Sequence, residues 1–137
     1  MIGVDTNVLA RFYCDDPGDP EAQRQRPIAR RIIVESPSLF VPLSVVLELE
    51  WVMRGFYELD TESFCRTVDH LLGMPHVTVE RWEVVKDAIG LHRRGLDFAD
   101  AVHWACSAQC SQFLTFDDRK LVRRAHRLGL NPEIALA

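Results

Sequence analysis

Asp5, Glu48, Asp100 and Asp117 stand at four separated places in the chain, each at or near a strand or helix boundary that could aim it into a common pocket. A pocket of carboxylates wants a cation, because two unit charges ~4 Å apart repel by about 1 kcal/mol in water and about 4 kcal/mol at an effective dielectric near 20. Hard divalent ions such as Mg²⁺ or Mn²⁺ take oxygen ligands, keep several waters and lean on a few carboxylates plus a substrate phosphate. Such ions activate a water, orient a phosphodiester and stabilise the leaving oxygen, which is hydrolytic phosphoryl transfer.

The elements that must position these acids can be read along the chain. Met1-Ile2-Gly3-Val4 reads as a short buried strand, with Asp5 at its carboxyl end, the end where ligands bind in open α/β sheets. The alternative for Asp5 is a helix N-cap. A short helix over Val8 to Tyr13, a turn-rich loop over residues 15–20 and a mostly helical stretch from Glu21 to Glu35 follow, with Pro27 expected to kink or restart that helix. Leu39 to Leu43 reads as a second strand, and Ser44 as the cap of a helix carrying Glu48 and stopped by Gly55. Glu50 lies about 200° round that helix from Glu48 and should face elsewhere.

Further helices are expected over Thr61 to Leu72 and Arg81 to His92, with a short strand over His76 to Val79 between them. Asp97 and Asp100 share the start of a helix, where carboxylates gain about 0.3–1 kcal/mol each from the helix dipole. That effect accounts for Asp97 well, as a cap, and for Asp100 less well. Gln112 to Phe116 reads as a strand that delivers Asp117 at its carboxyl end, with Asp118 as a turn or cap residue. A basic helix over Lys120 to Leu128, ended by Gly129, precedes a short apolar tail. His103, one turn after Asp100, is expected to be packed and hydrogen-bonded. The alternation of strand and helix argues for an α/β fold with a mainly parallel sheet of four to five short strands flanked by helices.

At 137 residues the chain is expected to form a single domain, 1–137, burying roughly two-thirds of its unfolded surface. Its 47% hydrophobic and 26% charged composition is globular, and no apolar run approaches the roughly 20 residues that cross a bilayer. The start lacks a signal-peptide layout, so a cytoplasmic protein with no membrane partner is expected. Cys14, Cys65, Cys106 and Cys110 form no CxxC pair and are expected to be buried free thiols. The net charge of −4 conceals an asymmetry: without Asp5, Glu48, Asp97, Asp100 and Asp117, 16 basic residues face 15 acids. Basic residues cluster at Arg24, Arg26, Arg30 and Arg31, at Arg93 and Arg94, and at Arg119, Lys120, Arg123, Arg124 and Arg127. These are either solvated helix faces or a basic rim that suits a phosphate-bearing substrate.

The residues Val4-Asp5-Thr6-Asn7, Glu48 within Ser44 to Arg54, Phe98-Ala99-Asp100-Ala101-Val102-His103 and Thr115-Phe116-Asp117 together resemble PIN-domain ribonucleases. The likeness is greatest to the VapC-like toxins of toxin–antitoxin pairs and runs through nearly the whole length. It implies a PIN-like fold, a Mg²⁺- or Mn²⁺-dependent endoribonuclease acting on RNA, a homodimer, and inhibition by a cognate antitoxin protein. Asp5, Glu48, Asp100 and Asp117 match the family's acidic quartet, and Asp97 is an acid often found at its position. Thr6, Asn7, Ser44 and Thr115 would orient the acids or waters, with local turn bonding the alternative for Thr6 and Asn7. Many relatives carry a further acid where this chain has Arg119. Two other readings are weighed. A haloacid-dehalogenase-like phosphatase would use Asp5 as nucleophile, but Asn7 stands where its second Asp is wanted. A catalytically degenerate module binding RNA or protein would not need the intact quartet.

Overall fold

Short apolar runs bounded by turn residues become parallel strands in the computed structural model, which describes residues 1–137. In the unit Met1–Trp82, β1 (Ile2–Gly3), β2 (Leu39–Val41) and β3 (Val77–Val79) form one sheet in the order β1-β2-β3, all parallel. Parallel neighbours need long crossovers. Here these are α1 (Thr6–Tyr13) with α2 (Pro20–Glu35), then α3 (Leu43–Gly55) with α4 (Thr61–Gly73). Helix α1 packs on α2 and α3, and α4 packs on α3 and β3. Leu9, Ile33, Leu39, Val46, Leu49 and Val68 fill the core of this unit, each almost fully buried.

The unit Glu83–Ala137 holds nearly all of α5 (Trp82–Arg93), then α6 (Phe98–Ala105), β4 (Gln112–Thr115), α7 (Arg123–Leu128) and β5 (Glu133–Leu136). A π-helical turn, Asp118–Val122, leads into α7. Strands β4 and β5 pair in parallel, from Gln112 opposite Glu133 to Thr115 opposite Leu136. The architecture is the expected α/β one, with five short parallel strands that pair as three and two. No helix is long and apolar enough to cross a membrane.

Several local expectations change. The tail is not merely apolar but forms β5, whose Ile134 is buried. Strand β1 is not buried: Ile2 is 52% exposed and only Val4, just after the strand, is enclosed. Pro27 neither breaks nor restarts α2, which runs continuously through it. Both Pro27 and Gln23, whose carbonyl loses its amide partner, are exposed, so water can satisfy that carbonyl. Ser44 does not cap α3; Pro42 holds the cap position without a side-chain bond. Instead the Glu80 carboxylate, just past β3, accepts the Leu43 N–H at 2.8 Å. Cys14 and Cys65 are buried as expected, whereas Cys106 and Cys110 are exposed because they lie at and beyond the end of α6.

Candidate active site

Parallel pairing of β1 with β2 brings the carboxyl ends of both strands to one edge of the sheet, so α1 and α3 begin side by side. Asp5 sits at that edge, exposed, as the N-cap of α1, its Oδ1 accepting the Thr6 N–H at 2.7 Å. The cap and the strand-end readings of Asp5 are therefore one geometry. Glu48 lies on the exposed face of α3, opposite the buried Leu49 and Met53 side. Both acids line an open pocket of about 280 Å³, together with Thr6, Asn7, Arg11, Trp51, Phe56 and Tyr57. Glu50 faces away from it, is 7% exposed, and pairs with Arg54 at 2.9 Å.

The polar residues around Asp5 and Glu48 divide. Thr6 is 4% exposed and its hydroxyl has no hydrogen-bond partner, an arrangement that typically costs about 1–3 kcal/mol. Asn7 is exposed in the pocket. Ser44 is exposed on the first turn of α3 and stands outside the pocket lining. Arg11 donates to Tyr57 Oη at 3.0 Å and to Gln25 Oε1 at 2.9 Å, which fixes a guanidinium in the pocket wall. The sequence reading singled out none of Arg11, Trp51, Phe56 or Tyr57. The available signal was the three-residue spacing from Glu48 to Trp51, which puts both on one face of α3.

The second set of acids belongs to the unit Glu83–Ala137. Asp97 is exposed and caps α6, its Oδ2 accepting the Asp100 N–H at 3.1 Å. Asp100 lies half-buried in the first turn. Burial, followed by repulsion from Asp97 and also from Asp117, pushes the Asp100 carboxyl above its usual range, with His103 opposing. Asp117, exposed at the end of β4, caps the π-helical turn by accepting the Lys120 N–H at 3.0 Å. Thr115 Oγ1 accepts the Asp117 N–H at 3.1 Å, so Thr115 orients the backbone that carries this acid. Asp118 opens the turn and is exposed. His103 is exposed rather than packed, because it lies on the solvent side of α6, opposite Ala101 and Val102.

The structure therefore gathers Asp5 with Glu48, and Asp97 with Asp100 and Asp117. In neither unit do three Asp, Glu, His or Cys side chains close on one point as a ready-made metal cage. The donors are nonetheless all carboxylate oxygens, the hard donors that Mg²⁺ and Mn²⁺ accept. At Asp100 the repulsion from Asp97 and Asp117 adds to the effect of burial, so added positive charge there would favour the carboxylate.

The chain matches the PIN domain family over residues 2–127. No curated protein matches it significantly. PIN domains are typically nucleases and generally depend on divalent metal. The match takes in both sets of acids and nearly every strand and helix described above, and the chain belongs to the PIN-domain family.

Proposed function

We propose that this chain is a Mg²⁺- or Mn²⁺-dependent endoribonuclease, working as one domain over residues 1–137, with Asp5, Glu48, Asp100 and Asp117 as its catalytic acids. The observation that carries the reading is the placement of Asp5, Asp100 and Asp117 at helix or turn starts. There, backbone N–H groups already fix Asp5 and Asp117, while burial and then the neighbouring acids Asp97 and Asp117 raise the Asp100 carboxyl. Asp97 joins as a fifth acid that holds the α6 start in register with Asp100 through the 3.1 Å cap.

The residues that would hold the metal are Asp5, Glu48, Asp97, Asp100 and Asp117, and the chemistry a bound cation supplies is activation of a water and stabilisation of the leaving oxygen. Thr115 fixes the turn that presents Asp117. Thr6, whose buried hydroxyl lacks a protein partner, and Asn7, exposed beside Asp5, orient waters or substrate at the carboxylates. Ser44 supports Glu48 from the first turn of the same helix. The exposed basic residues Arg119, Lys120, Arg123 and Arg127 supply positive charge that attracts the RNA backbone.

The resemblance to VapC-like toxins extends the reading to a cytoplasmic homodimer that is the toxin of a toxin–antitoxin pair, silenced by a cognate antitoxin. Calorimetry with Mn²⁺ tests the metal site: the account expects saturable binding that Asp100→Asn weakens at least ten-fold. Absence of binding, or binding indifferent to that substitution, would contradict it.

A further inference from the structure

The pocket that contains Asp5 and Glu48 also carries exposed aromatic rings. Trp51 is 62% exposed and Phe56 66% exposed, and both line it together with the half-buried Tyr57. Single exposed apolar residues need no explanation, but two large rings beside two carboxylates and a fixed guanidinium form a mixed lining with a chemical match. Glu48 and Trp51 are neighbours on α3 at three-residue spacing, and Phe56 follows as the C-cap residue of the same helix. The Trp51 ring passes beside Gly55, where a Cβ would stand 4.0 Å from its Cε2. Phe56 and Tyr57 meet edge to face, with centroids 4.9 Å apart at 78°, an arrangement that leaves at least one face of each ring uncovered by the other. Tyr57 is tied to Arg11 by the 3.0 Å hydrogen bond.

We propose that Trp51 and Phe56 are substrate-binding residues: a stacking platform for a nucleobase of single-stranded RNA, beside the carboxylates of Asp5 and Glu48 that would hold the cation its phosphate needs. The inference rests on the nuclease reading and adds to it two residues that bind the substrate's base. A nucleotide presents a planar π face and an anionic phosphate a short distance apart, and this lining offers rings at one place and the metal-seeking carboxylates at another. The pocket volume of about 280 Å³ is on the scale of one nucleotide. Stacking requires a base freed from its neighbours, so the platform selects single strands over duplexes and tolerates every base. Arg11, held by Tyr57 and Gln25, adds a guanidinium that can approach either the base or a flanking phosphate.

The test is cleavage and binding of a single-stranded RNA oligonucleotide and of the same sequence as a duplex, by the full chain and by Trp51→Leu, Trp51→Phe and Phe56→Leu, with folding checked by circular dichroism. The platform predicts a preference for the single strand and a roughly ten-fold rise in KM and in Kd for each Leu variant. The change in kcat should be smaller, and Trp51→Phe should restore most of the affinity. Folded Leu variants with unchanged KM and Kd would overturn the platform while leaving the nuclease reading intact. So would a Phe variant as weak as the Leu one, or Leu variants that lose only a protein partner. Failure of the parent chain to cleave would instead overturn the nuclease reading, and failure to bind RNA would overturn both.

Discussion

The carboxylate of Glu80 accepts the backbone N–H of Leu43 at 2.8 Å, capping α3 from 37 residues away. Sequence patterning assigned that task to Ser44, the residue next to the helix start, because capping is ordinarily local. Parallel pairing of β2 with β3, with Val41 opposite Val79, brings Glu80 alongside the start of α3. Glu80→Ala should therefore lower stability by about 0.5–2 kcal/mol, near the low end because the bond is solvent-exposed, while Ser44→Ala should stay within about 0.5 kcal/mol. Urea unfolding of the two variants measures the difference; equal losses would remove Glu80 from the role.

The Glu50–Arg54 pair makes a second prediction about α3. Glu50 is 7% exposed, and its carboxylate takes Arg54 Nε at 2.9 Å and Nη2 at 3.5 Å. Removing the guanidinium leaves a carboxylate enclosed with fewer partners, so Arg54→Met should destabilise by about 1–3 kcal/mol. Glu50→Gln together with Arg54→Met should recover part of that loss in a denaturant titration, since the stranded charge is then gone. A double variant worse than the sum of the singles would argue against the pair.

Asp100 makes the acid cluster a burden on the metal-free protein. Its folded carboxyl is raised above the ordinary value of 3.8 by burial, then by Asp97 and Asp117, so the folded state holds its proton more tightly than the unfolded state does. The sign follows: as pH climbs through 3.8 and on past the raised value, stability is lost, and it is fully present only below 3.8. Asp100→Asn should raise the Tm of the metal-free protein at pH 7, with the advantage disappearing in acid. Melting curves with chelator at several pH values check this, and added Mg²⁺ should stabilise the parent chain more than the variant.

The fold class and the acids' local settings were legible in the sequence; their surroundings were not. Strand ends could be read from apolar runs stopped by Asp5 and Asp117, and helix starts from Asp97, because these signals are local. Strand β5 was hidden because Glu133–Leu136 is short and has little pattern until it pairs with β4. Exposure was the least readable property: Ile2, Cys106 and Cys110 are apolar or small enough to be read as buried, and His103 stands one turn from a carboxylate it could bond, yet burial depends on what lies across the fold. Pro27 carries a strong helix-breaking signal, and its exposed position explains why α2 tolerates it. The aromatic lining near Glu48 has the same character, since Trp51 lies in a largely apolar helix and yet stands mostly in solvent.

Asp5 is the most direct point of attack on the central claim, because it ends a strand, caps α1 and shares a pocket with Glu48. Asp5→Asn keeps an oxygen to accept the 2.7 Å bond from Thr6 N–H, so helix α1 and the fold should survive within about 1 kcal/mol. The measurement is Mg²⁺- or Mn²⁺-dependent cleavage of single-stranded RNA by the parent and the variant, side by side with their circular dichroism spectra. The account predicts a folded variant whose cleavage falls by at least a hundred-fold; undiminished cleavage by a folded Asp5→Asn protein would contradict it.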